Sequence, residues 1–197
     1  MIIKLTGPQG LFLLKIARNT IAKKLNADNV IIINQDSLIK DTIFQDKRGV
    51  FITIHKDGHL RGCIGNIEPE ESIIKSIKNN AINAAFKDPR FSPLKISEFN
   101  IIDLEISILT IPEKLDFKNS SDLLSQIKPS QHGVIIKSKN RKATFLPQVW
   151  DQLPKKEEFL SHLCIKAGLP SSFWEKELCE IMTYNVQYFK EDNPTGF

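Results

Sequence analysis

The chain has 197 residues, 41% of them hydrophobic and 25% charged, and carries a formal net charge of +4. That length can bury the core of one domain, and the composition excludes wholesale disorder. The charge allows a weakly basic cleft for a phosphate or carboxylate, but it does not require a nucleic acid as partner.

Pro8 predicts the start of an amphipathic helix running to about Leu25. Phe12, Ile16, Ala17, Ile21 and Leu25 recur at helical spacing, with Lys15, Arg18, Lys23 and Lys24 assigned to the solvated side. Residues 26–48 read as irregular. A hairpin follows: Val50 to Ile54 is β-branched and aromatic, Asp57-Gly58 supplies a tight turn, and His59 to Ile64 returns. With a two-residue loop, Lys56 faces His59 and Cys63 faces Ile52. Regular alternation then puts His59, Arg61 and Cys63 on the face of Ile52 and Ile54.

A second helix is expected from about Pro69 to Lys87, favoured by Glu68, Glu70 and Glu71 at its positive end and stopped by Pro89. Ile102, Leu104, Ile106 and Ile108 alternate with Asp103, Glu105 and Ser107, the pattern of a half-buried strand. Ser120-Ser121-Asp122 caps a short helix through Ile127. A second hairpin joins Gly133–Lys137 to Lys142–Leu146, and a helix over about 155–167 ends at Gly168. The end, about Met182 to Phe189, reads as one strand. Strands and segregated helices without βαβ alternation predict an α+β fold, with antiparallel sheets flanked by helices. The expected organisation is one domain over residues 1–197. Within it a main lobe covers about 8–110 with the last strand, and a smaller lobe covers about 111–170.

No apolar run reaches the roughly 18–20 residues of a membrane span. The first residues, Met1 to Pro8, lack the pattern of a secretory signal. The three cysteines, Cys63, Cys164 and Cys179, form no Cys-x-x-Cys pair. A cytoplasmic protein without disulfides, metal or cofactor is expected. His55 and His59 straddle the first hairpin loop and read as outward-pointing rather than metal-ligating.

Three places could carry chemistry. Cys63 lies between Gly62 and Gly65, which let backbone approach closely, and Arg61 or His59 could supply the positive charge a reactive thiol needs. The other reading is a small buried thiol with glycines serving a turn. His132, before Gly133, is either the base of a Cys–His pair or a turn residue. Arg90, in Asp88-Pro89-Arg90-Phe91, either grips a carboxylate or phosphate with its planar fork or pairs with Asp88. Dinucleotide and phosphate-loop signatures are missing.

Leu60-Arg61-Gly62-Cys63-Ile64-Gly65 is the first of four stretches with a common resemblance. The others, in order, are Asp88-Pro89-Arg90-Phe91, His132-Gly133-Val134 with Ala143 to Val149, and Lys166-Ala167-Gly168-Leu169. Together they resemble the AMMECR family, found as protein A of AmmeMemoRadiSam gene clusters. One departure is local: Trp150 stands where the family often has a smaller residue, and Asp151-Gln152-Leu153-Pro154 replaces a glycine-tryptophan pair.

The resemblance implies an α+β fold with a smaller lobe. It also implies partners resembling a radical S-adenosylmethionine enzyme and a Memo-like protein. The expected activity is that of an accessory, enzyme-like component of a modification pathway, with a cleft centred on Cys63. Its ligand would be a small molecule or peptide, held by Arg61, Gly62, Gly65, Arg90 and His59. A non-catalytic peptide- or protein-binding adaptor is the alternative, and a nucleic-acid-binding protein the second alternative.

Overall fold

The computed structural model describes residues 4–27, 42–176 and 179–192. The chain divides into two compact units, Met1–Leu109 with Gln187–Phe197, and Thr110–Val186. Each has its own antiparallel sheet and helices, as expected of an α+β protein. Most of the irregular stretch expected over 26–48 lies outside the described residues. Among the described residues no helix is long and apolar enough to cross a membrane.

The first unit opens with α1, Gly7–Leu25. Thr6 caps it: its hydroxyl accepts the Gln9 N–H, while the Gln9 side chain accepts the Thr6 N–H, so two orphan donors are satisfied reciprocally. Asn26 ends it in the left-handed region, at φ 54°. Phe12, Ala17 and Ile21 are buried as expected, but Arg18 is buried too, only 3% exposed. The assignment of Arg18 to the solvated side is therefore corrected. Its guanidinium is met inside the unit by Glu191, from the end of the chain.

Strands β1 (Val50–Lys56), β2 (His59–Asn66), β3 (Ile102–Leu109) and β8 (Val186–Lys190) form a sheet in the order β2-β1-β3-β8. Helix α2, Ile73–Phe86, packs on β1, β2 and α1. It starts four residues later than Pro69 predicts. Ile73 N–H donates to Asp46 O, and Ser72 pairs with Lys47, so the preceding residues are held extended. Glu71 is spent on Lys75 and Asn79. The core joins Phe12, Leu13 and Ile21 of α1, Ile77 and Ala81 of α2, and Ile52, Ile54, Leu104 and Ile106 of the sheet.

The second unit holds β4 (Glu113–Lys114), β5 (Gly133–Ser138), β6 (Arg141–Phe145) and β7 (Glu180–Tyr184), in the order β4-β7-β5-β6. Its helices are α3, Ser120–Gln126, and α4, Lys156–Lys166. The cap of α3 is Asn119, whose side chain accepts the Asp122 N–H at 2.9 Å, rather than Ser120. The strand expected over 182–189 is two strands. It breaks at Asn185, whose N–H and C=O are taken by Thr110, and β7 and β8 enter different sheets.

Candidate functional site

The first hairpin fixes the position of Cys63, and it does so through a bulge. Lys56 pairs with His59, and His55 with Leu60, as a two-residue loop requires. Beyond that the register shifts: Ile54 pairs with Gly62, Thr53 with Cys63 and Ile52 with Ile64, leaving Arg61 without an opposite residue. One extra residue reverses the alternation of everything after it. Cys63 is thus opposite Thr53, not Ile52, and lies on the sheet face away from the buried Ile52 and Ile54.

The bulge also explains the two glycines, both within β2 rather than in a turn. Gly62 faces α2, and a Cβ there would stand 2.3 Å from the Ala84 carbonyl oxygen. Gly65 lies under Phe51, its cross-strand partner, whose ring a Cβ would meet at 2.3 Å. Gly62→Ala should therefore destabilise the protein by about 1–3 kcal/mol, the cost of overpacking where backbone meets backbone. The urea midpoint of the folded chain measures it.

β2 is an outer strand, so its far side presents unpaired backbone. Asp88 and Arg90 close it. The Asp88 carboxylate accepts the Cys63 N–H at 2.8 Å, and Arg90 donates to the Cys63 carbonyl at 3.3 Å. The two side chains also bind each other, at 2.9 and 2.7 Å. Arg90 holds the buried Asp88 carboxyl far below the usual carboxylate range. Arg61 is engaged as well: its guanidinium makes two 3.0 Å bonds to Glu98 and a third to Ser92 O. It holds the Glu98 carboxyl down at about 2, against burial. Phe91 has the Arg61 and Arg90 guanidinium carbons 5.8 and 5.4 Å from its ring centre. His59 stands exposed at the hairpin end.

Because the outward N–H and C=O of Cys63 point to Asp88 and Arg90, Thr53 and Cys63 form a non-hydrogen-bonded pair, in which side chains approach closely. The Thr53 hydroxyl donates to Cys63 Sγ at 3.4 Å. Burial pushes the thiol above its ordinary value. Thr53 and Arg90 oppose this, and the charges of Asp88 and Glu105 reinforce it. The cation acting on the sulfur is therefore Arg90 rather than Arg61 or His59, and Cys63 is a neutral thiol at pH 7.

The same sheet face carries residues that sequence reasoning passed over. Glu105 and Asp103 of β3 pair with Thr53 and His55 of β1. The alternation Asp103, Glu105, Ser107 marked this face and was read as solvated, yet Ser107 is buried. His132 belongs to the second unit. Its Nδ1 accepts the Lys128 N–H, its carbonyl accepts Trp150 Nε1, and burial lowers its pKa. Among the described residues no group of three or more His, Cys, Asp or Glu side chains is placed to hold a metal ion.

The comparisons with known proteins agree with this architecture. The AMMECR1 family model matches residues 14–189. Protein MK0488 of Methanopyrus kandleri is 39% identical over 98% of this chain and 93% of its own length. Protein MJ0810 of Methanocaldococcus jannaschii is 38% identical, over 98% and 94%. The crystal structure of PH0010 from Pyrococcus horikoshii superposes with a TM-score of 0.88 at 31% identity, covering 99% of this chain and 97% of that one. A family match across nearly the whole chain, with full-length relatives and a solved structure of the same fold, makes this chain a member of the AMMECR1 family.

Proposed function

We propose that this chain is an enzyme-like accessory protein of a modification pathway, and that it handles a small molecule or peptide on the sheet face around Cys63. One contrast carries the reading. Arg61, Asp88 and Arg90 are committed to bonds within the fold, while Cys63 turns its sulfur onto a face that also bears Thr53, Glu105, His55 and Asp103. A nucleophile beside a hydroxyl, carboxylates and an imidazole is equipped for proton-coupled covalent chemistry. The resemblance to protein A of AmmeMemoRadiSam clusters supports a radical S-adenosylmethionine enzyme and a Memo-like protein as partners.

The test is alkylation of the folded, full-length chain by iodoacetamide, with the modified cysteine identified by mass spectrometry. The raised thiol pKa sets the expected profile: Cys63 reacts slowly at pH 7 and faster as pH rises above the free-thiol range of about 8.5. Modification of Cys63 only after unfolding in urea would overturn the reading. It would favour a non-catalytic adaptor, for which the Arg61–Glu98 and Asp88–Arg90 pairs are support, since they brace a fixed surface. On that second reading Cys63→Ser captures a Memo-like partner as well as the natural chain does.

A further inference from the structure

We infer that His55, oriented by Asp103, is the proton acceptor for the Cys63 thiol; the inference rests on the reading of the Cys63 face just given. His55 and Asp103 are direct partners across β1 and β3. His55 Nδ1 lies 3.4 Å from Asp103 Oδ2, and both atoms are buried without a hydrogen bond of normal geometry. Catalytic bonds of this kind are often long until a ligand closes over them. A carboxylate facing Nδ1 keeps the proton of the neutral ring there, which leaves the lone pair of Nε2 directed away from Asp103.

Thr53 lies between the two groups. It is the cross-strand partner of Cys63, and His55 is two residues along on the same face. Diagonal neighbours of this kind have Cα atoms about 7–8 Å apart. Over that separation a proton passes from the thiol to the imidazole through one water or a bound ligand. The charged groups facing the His55 ring are Asp103 from β3 and, through the same Oδ2 at 3.3 Å, Lys190 from β8; from β2 its opposite residue is the uncharged Leu60. Asp103 thus offsets the positive charge that His55 acquires.

The step balances without a redox partner. The Cys63 S–H bond breaks and its proton passes to His55 Nε2. The thiolate then attacks an electrophilic carbon, an S–C bond forms, and the leaving group departs with the bonding electrons. With iodoacetamide as the probe that leaving group is iodide. A thiol held neutral by burial gains most from such a base, because it has almost no thiolate of its own at pH 7.

The experiment is the pH profile of Cys63 alkylation in the natural chain and in His55→Gln, Asp103→Asn and Glu105→Gln. Thermal melts establish that each variant is folded. His55→Gln should slow the reaction at pH 7.5 by about a hundredfold, the low end of general-base effects. Asp103→Asn should give a smaller loss. Independently, the ring 15N shifts of His55 should report the Nδ1–H tautomer in the natural chain, and not in Asp103→Asn. An unchanged rate in His55→Gln, a loss confined to Glu105→Gln, or an Nε2–H tautomer would each overturn the inference and leave the reading of the Cys63 face standing. A Cys63 inert until urea unfolds the chain would overturn both.

Discussion

Glu191→Ala is expected to lower the unfolding free energy by about 3–5 kcal/mol, because it leaves a buried guanidinium without its counter-charge. The Arg18 and Glu191 side chains are 4% and 0% exposed. Arg18 Nε and a terminal nitrogen reach the two carboxylate oxygens at 2.6 and 2.5 Å. The remaining guanidinium bonds go to Phe99 O and Ile102 O, and Glu191 also accepts the Leu104 N–H at 2.9 Å. Burial pushes the Glu191 carboxyl up, while Arg18 and the Leu104 N–H act against it. Arg18→Met with Glu191→Leu should recover much of the loss, since two apolar side chains leave no buried charge. Urea midpoints of the single and double variants separate the cost of breaking the pair from its net worth. A single variant within about 1 kcal/mol of the natural chain, the range of surface ion pairs, would show that water reaches the pair.

Trp150→Ala should cost the protein a similar amount, about 3–5 kcal/mol, as a large buried ring is replaced by a cavity. The Trp150 ring is 2% exposed and stacks on Phe159, with ring centres 3.6 Å apart and planes 3° from parallel. Phe145 meets Phe159 edge-on at 5.2 Å. Trp150 Nε1 also donates to His132 O at 2.8 Å, so the substitution frees the carbonyl that helps hold the His132 turn. Trp150→Phe should retain most of the stability while losing that bond. Melting followed by tryptophan-independent circular dichroism checks both. Trp150 is thus the anchor of the second unit's core.

The helices and hairpins were legible because their signals are local. Pro8 opens α1, Asp57-Gly58 turns the first hairpin, and Gly168, at φ 71°, ends α4. What escaped the sequence depends on contacts distant along the chain or on a single extra residue. Arg18 sits four residues from both Leu14 and Ala22, inside the apolar stripe. Its partner is 173 residues away, so nothing nearby marks it as buried. The bulge at Arg61 has no local signature either, yet it moves Cys63 to the opposite face. Asp88-Pro89-Arg90-Phe91 was legible as a motif but not as a clamp on Cys63, because its target is defined only once β2 is an outer strand. The break at Asn185 was hidden in a continuous run of strand-forming residues.

The Asp88–Arg90 clamp also bears on how the chain behaves in a crowd. An uncovered outer strand invites a second copy to add its own strand, which is how many folded proteins begin to aggregate. At Cys63 the donor and acceptor a second copy would use are already occupied by side chains of the same molecule. Shielding of that kind is electrostatic as well as steric. It lasts while Asp88 remains ionised, and its strongly lowered pKa keeps it so through ordinary acidic conditions. The clamp therefore works against strand-to-strand joining of two copies at this point of the motif strand.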